Sequence, residues 1–306
     1  MTTLARPIPT TSHDETRGML LGLVGVAMFS LTLPFTRMAV DELDPLFVAL
    51  GRALGAALLA GAWLAWRRAP LPPRAALAPL ALVMLGVVIG FPLLSSMALR
   101  YVPASHGAVL AGLLPLMTTL YAALRGDERP STGFWAMSVL GAALVVGFAL
   151  SQGGGALHAA DLLMFAAVAA GAVGYAEGGK LARTLGGPET ICWALLLSAP
   201  LLAPLLAWRY GLAPEAFAGV GAAAWLGLAY VTAFSMFIGF FFWYRGLALG
   251  GIARVGQVQL LQPFMSLVGA ALLLGETLTL HNSLFALAVI GVVFAGRRLQ
   301  VRRRPG

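Results

Sequence analysis

The chain has 306 residues, of which 59% are hydrophobic and only 10% charged, and its mean hydropathy is +0.87. A soluble protein of this length needs a charged exterior, with about 25% charged residues, so a soluble globular fold is excluded and the bilayer is the solvent. The net charge of +8 is spread over connecting loops rather than gathered on one face, which speaks against nucleic-acid binding. The single cysteine, Cys192, excludes an internal disulfide or a cysteine-based metal cluster.

In lipid every backbone amide must be paired internally, which leaves a helix bundle or a closed barrel. Barrel strands alternate in polarity over about 10 residues. The apolar runs here are about twice that length, rich in Ala, Leu and Gly, and do not alternate, so the predicted class is all-α. A polar stretch of 17 residues comes first and precedes a run read as a retained signal anchor. Charge, Pro and Gly then punctuate ten spans. They are Gly18 to Val40, Leu46 to Trp66, Leu77 to Leu99, Ala104 to Leu124, Thr132 to Leu150, Leu162 to Leu181, Thr190 to Trp208, Ala222 to Leu247, Ala253 to Leu274 and Asn282 to Gly296.

Positive residues near span ends stay cytoplasmic. With the N-terminus inside, the alternate loops hold 16 Lys and Arg on the inside against 3 (Arg37, Arg100 and Arg209) on the outside, and Arg52 is left within span two. Both termini are therefore expected in the cytoplasm. The expected organisation is a tail over 1–17, a five-helix unit over 18–150, a linker over 151–161, a second five-helix unit over 162–296 and a basic tail over 297–306.

The two units repeat. Residues 115–128 read PLMTTLYAALRGDE and residues 263–276 read PFMSLVGAALLLGE. Pro115 and Pro263 are 148 positions apart, as are Glu128 and Glu276; Arg37/Lys180 and Pro45/Pro188 are both 143 apart. Five spans is an odd number, so the second unit enters from the opposite face and the repeat is inverted, with solute expected near the midplane. At these residues the sequence resembles the EamA-type members of the drug/metabolite transporter superfamily. Pro115 with Gly126-Asp127-Glu128, and Gln262-Pro263 with Gly275-Glu276, carry the likeness, which covers about residues 18–296. It implies ten helices as two inverted repeats around a central cavity lined mainly by spans one, three, four, six, eight and nine. It also implies transport: characterised relatives include exporters of amino acids, aromatic ones among them, and of related metabolites.

Polar groups inside lipid-spanning helices are costly and face a partner or a watery cavity. The repeat pairs Thr32 with Tyr175, flanking the midplane, and Ser95 and Ser96 with Trp243 and Tyr244. These six residues would form a cavity with a small hydroxyl wall and an aromatic wall; alternatively the hydroxyls bond their own helices and the rings belong to the interfacial belt. Gln257 and Gln262 on span nine are candidate solute contacts, able to donate to a carboxylate or accept from an ammonium. Glu177, with Lys180 at i+3, reads as a structural ion pair, a proton-coupling carboxylate or a cation site. Pro34, Pro115 and Pro263 are hinge or kink positions, and Pro34 should free a carbonyl near the cavity. Glycine pairs Gly18/Gly22, Gly51/Gly55, Gly86/Gly90 and Gly246/Gly250 suit close helix packing within the chain. His106 reads as an interfacial residue or as a gate.

The four histidines are scattered and no hydrolase elbow or P-loop occurs, so a membrane enzyme is disfavoured, and no catalytic residue, metal or cofactor is expected. The expected partners are a small-molecule solute and the lipid bilayer, the working unit a monomer in the cytoplasmic (inner) membrane. The reading is a secondary transporter of small organic metabolites, amino acids foremost, acting as an exporter by alternating access. Efflux of cationic drugs through Glu177 is the alternative.

Overall fold

The computed structural model describes residues 12–125, 128–152, 158–211, 214–250, 255, 258–298 and 301–303. Span one is two helices in line, α1 (Ser12–Ser30) and α2 (Thr32–Glu42), parted at Leu31. The cause is local. Pro34 has no N–H, so the Ser30 carbonyl four residues earlier loses its helical donor. Ser266 Oγ takes that place, donating to Ser30 O at 2.7 Å. The carbonyl expected to be freed is thus present, and another span satisfies it. Next, α3 (Pro45–Arg67) begins at Asp44, whose side chain accepts from the Leu46 and Phe47 amides, with Pro45 in the first turn.

Span three comprises α4 (Leu77–Val83), a π-helical stretch (Met84–Gly90) and α5 (Phe91–Leu99). Span four is broken at Gly112 and Leu113 into α6 (Ala104–Ala111) and α7 (Leu114–Leu124). Helices α8 (Thr132–Gln152), α9 (Ala159–Leu185) and α10 (Gly187–Tyr210) follow. Span eight joins α11 (Ala222–Tyr230), a second π-helical stretch (Val231–Ile238) and α12 (Gly239–Gly250). A 3-10 turn (Gln259–Leu261) leads into α13 (Gln262–Leu274), and α14 (Leu280–Arg298) closes the bundle.

The irregularities repeat with the sequence. The π-helical stretches end at Gly90 and Ile238, and the second segments of the broken spans begin at Leu114 and Gln262. Each pair is 148 residues apart, the interval between Pro115 and Pro263. Both prolines are therefore the second residue of a helix that restarts mid-span, where a missing N–H costs nothing.

Among the described residues, six helical runs are long and apolar enough to cross a bilayer: Thr16–Glu42, Pro45–Arg67, Arg74–Leu99, Ala159–Leu185, Gly187–Tyr210 and Ala222–Gly250. Shorter apolar helices, Ala104–Thr118, Trp135–Phe148, Gln259–Leu274 and Leu280–Val292, occupy the regions of the other expected spans. Large apolar side chains such as Leu58, Leu226 and Leu272 remain exposed on the outside of the bundle, as lipid contact requires. The molecule is a multi-pass membrane protein. Among the described residues, one short antiparallel ladder pairs Glu128–Pro130 with Val301–Arg303, residues expected in an inner loop and the basic tail.

Glycines set the closest crossings. A methyl group added to Gly18 would lie 2.5 Å from Gly250 N, and one on Gly246 would lie 2.9 Å from Gly22 N, so α1 and α12 pack backbone to backbone. A methyl on Gly86 would lie 2.6 Å from Gly174 N, joining span three to α9 in the same way. By the repeat these are equivalent contacts, span one on span eight and span six on span three.

Candidate functional site

At the heart of the bundle lies a narrow cavity whose walls come from spans one, two, three, four, six, eight and nine. The resemblance implied six of these; span two is added through Arg52. The space open to a water-sized molecule is small, about 30 Å³. A larger solute enters only if the walls part.

The polar face is built by three spans. Arg52, 2% exposed, donates from Nη2 to Ser235 Oγ at 3.2 Å. Ser235 Oγ shares a hydrogen bond of 2.8 Å with Thr32 Oγ1. Ser235 sits in the second π-helical stretch and Thr32 opens α2 just after the break. Both side chains therefore project from points where the helix departs from regular winding, as π-bulges at functional sites often do. Arg52 Nε and Nη1 are buried without a hydrogen-bond partner, and so is Gln262 Oε1 on span nine. The apolar face is aromatic. Phe29 lies 4.9 Å from Phe240 and 6.0 Å from Tyr175 between ring centroids, and all three line the cavity with Phe91.

The candidates named from sequence divide clearly. Thr32, Tyr175 and Gln262 line the cavity. Trp243 packs behind, 5.5 Å from Tyr175 and 6.2 Å from Phe29, with its Nε1 buried and unpartnered. Tyr244 is fully buried and its hydroxyl donates to Gly174 O at 3.0 Å, so it ties α12 to α9. Ser95 donates to its own helix at Phe91 O, 2.6 Å away, and Ser96 is buried with its Oγ unpartnered, outside the cavity lining. The hydroxyl wall and aromatic wall expected from Ser95, Ser96, Trp243 and Tyr244 thus lie one layer out. The reason is that span eight turns Ser235 and Phe240 toward the centre instead. Gln257 and its neighbour Arg254 lie outside the described residues.

Glu177 is buried, but its Oε1 accepts from Arg125 Nε at 3.1 Å and from the Tyr121 hydroxyl at 2.9 Å. This ion pair with span four forms because Arg125, just past the end of α7, reaches across to α9. At the opposite end of the bundle His106 and Asp161 meet at 2.7 Å, both buried, and Glu276 accepts from the Ala104 and Ser105 amides at 2.8 and 2.9 Å. Helix α9 starts earlier than expected, which brings Asp161 into its first turn, where it also accepts from His158 N. His106 is thereby a buried, partnered residue.

Arg52 and Ser235 were missed from the sequence as site residues. A signal for Arg52 existed: it was the single basic residue assigned to neither loop set, and an ionisable group inside a span is functional by default. Ser235 carried no comparable mark.

The comparisons with known proteins agree with this architecture. Residues 16–150 and 158–296 each match the model of the EamA-like transporter family. The chain is 48% identical to an uncharacterized transporter, YdeK, of Bacillus subtilis over 94% of this chain and 99% of that protein. It is 32% identical to a probable terminal-alkyne amino-acid exporter of Streptantibioticus cattleyicolor, over 67% of this chain and 68% of that one. A solved crystal structure superposes with a TM-score of 0.64 at 18% identity, over 92% of this chain and 96% of the other, a likeness of fold alone.

Proposed function

The chain belongs to the EamA-like transporter family, and from that premise we propose that it carries small organic metabolites, amino acids foremost, out of the cell across the cytoplasmic membrane. In this reading it has ten crossings and both termini are cytoplasmic. The two five-helix halves, 18–150 and 162–296, joined by the linker 151–161, rock against each other around a fixed central site. The end carrying Asp44 and Glu276 is then the outer one and the end carrying Arg125 the inner one. The tails 1–17 and 297–306 lie inside.

One observation carries the reading: the central cavity draws its walls from both halves and combines a guanidinium, two hydroxyls, a carboxamide and aromatic rings. Such a mixture suits a small solute with polar and apolar parts. Contacts at both ends keep the cavity narrow, Arg125–Glu177 at one and Glu276 on the start of α6 at the other. Alternating access requires each end to open in turn, and the helix breaks at Leu31 and Gly112 give the walls places to bend. The similarity to an amino-acid exporter favours that solute class. Efflux of cations through Glu177 has less support, since that carboxylate is already engaged by Arg125 and Tyr121. Proton coupling through it is disfavoured on the same ground. The chain is read as a carrier, working as a monomer without metal or cofactor, rather than as an enzyme.

The test is counterflow of labelled amino acids in proteoliposomes of the purified protein. Saturable exchange of at least one member of a broad amino-acid panel is expected. No flux for any member would sink the reading.

A further inference from the structure

We propose that Arg52 is the seat of a carboxylate on the carried solute, so that the protein selects small monocarboxylates, amino acids included, over their uncharged amides and over amines. The inference rests on the transport reading for the solute's route, but its chemistry stands on Arg52 itself.

An arginine keeps its charge in any protein environment. Taking an ion out of water costs several kcal/mol even after relaxation unless it is paired and hydrogen-bonded. Arg52 is 2% exposed, yet only one of its three nitrogens has a partner, and that partner is a neutral hydroxyl. Among the described residues no carboxylate lies within ion-pairing distance of it. The other buried acids near the bundle axis are engaged elsewhere, Glu177 with Arg125 and Asp161 with His106. Among the described residues the fold thus holds one fixed positive charge at the cavity, oriented by Ser235 and Thr32, with two of its nitrogens left unpartnered.

The missing partner must come from outside. A guanidinium presents parallel N–H groups that match the two oxygens of a carboxylate. One cation in a lining that, among the described residues, holds no other balances a single negative charge; a phosphate dianion would bring a second, uncompensated one. The remainder of the lining fits what a carboxylate would be attached to. Phe29, Tyr175 and Phe240 form an aromatic surface for an apolar body. Gln262 lines the same space, its buried Oε1 is unpartnered, and a carboxamide can serve an ammonium or a hydroxyl.

The experiment compares purified wild-type protein with Arg52→Lys and Arg52→Met. Thermal unfolding is followed in chloride-free buffer with neutral amino acids, simple monocarboxylates, the matching amides and the matching amines, and counterflow is measured on the same preparations. Wild type is expected to bind the acids at least about tenfold more tightly than the amides, the scale of one charge-assisted interaction. Arg52→Met should fold at least as well, because it removes an uncompensated buried charge, and should lose that preference. Arg52→Lys should retain part of it. Three results would overturn the assignment: equal binding of acids and amides by wild type, no binding of any acid, or wild-type affinity for acids in Arg52→Met. A shift produced as well by chloride alone would also overturn it, by marking an inorganic anion site. The wild-type comparison of acid with amide needs no variant and so decides the question even if Arg52→Met fails to fold. Flux without preference for acids would remove the Arg52 assignment and leave the transport reading. Arg52-dependent binding with no flux would do the reverse.

Discussion

Two arginines of this protein are placed in opposite circumstances. Arg125 ends α7 with about half of its side chain exposed, and it meets a buried carboxylate, Glu177, that also accepts from Tyr121. Arg52 is buried beside the cavity and, among the described residues, its guanidinium hydrogen-bonds to a serine hydroxyl alone. The first charge is neutralised within the fold, at a place where water could have solvated it. The second is left unneutralised where water is scarce. Stability alone would favour the opposite arrangement, since an exposed cation needs no partner and a buried one does. The contrast teaches where each residue serves: Glu177 and Arg125 hold two spans together near one end, while Arg52 is kept available in the middle.

The largest expected effect comes from giving Arg52 what Arg125 already has. Ser235→Asp would put a carboxylate at the position that now accepts from Arg52. The pair should neutralise internally, raising the unfolding temperature while solute affinity falls by at least about tenfold, the equivalent of ~1.5–3 kcal/mol. Thermal unfolding in detergent and counterflow on one preparation check both halves of the expectation. Undiminished transport with a fixed acid at 235 would erase the distinction between the two arginines.

A smaller and asymmetric effect is expected at the rim. Arg125→Gln takes the guanidinium away from a buried carboxylate, and should cost about 1–3 kcal/mol of stability. Glu177→Gln frees an arginine that can turn to solvent, and should cost about 0–1 kcal/mol. A double-mutant cycle on unfolding free energies measures the coupling; equal single costs would mean that burial of the acid is not what decides the pair. Tyr121→Phe, which removes one hydrogen bond from Glu177, stands between the two and should cost about 1 kcal/mol.

How far the sequence revealed these features depended on what each one required. Helix positions followed from apolar length, and the repeat of the breaks followed from Pro115 and Pro263, because proline constrains its own backbone. Pro34 likewise announced a freed carbonyl, and Ser266 is found on it. Side-chain partners were less legible. Lys180 is the nearest positive charge to Glu177 along the helix; Arg125, which pairs with Glu177 in the fold, comes from a span more than fifty positions earlier, and only the packing of α7 on α9 brings those two together. The cavity lining failed in a similar way. Pairing Ser95 and Ser96 with Trp243 and Tyr244 used the right interval of 148. The π-helical stretches just before them change the winding, however, and an interval says nothing of which face then turns inward. Thr32, Tyr175 and Gln262, by contrast, line the cavity, and two of them stand at breaks: Thr32 opens α2 and Gln262 opens α13.

The smallest effect belongs to Ser95, and it tests the same distinction between an available group and an engaged one. Its hydroxyl donates to Phe91 O within the same helix and lies outside the cavity lining. A serine that bonds back to its own helix contributes little, and alanine is the better helix former. Ser95→Ala should therefore leave counterflow within about twofold of wild type and stability within ~0.5 kcal/mol, the range typical of substitutions away from special features. Thr32→Ala should behave differently. It removes the hydroxyl that holds Ser235 against Arg52, so the preference for acids over amides should weaken while the amides bind as before. If Ser95→Ala changed that preference more than Thr32→Ala did, the polar centre of the carrier would lie around span three and not between Arg52, Ser235 and Thr32.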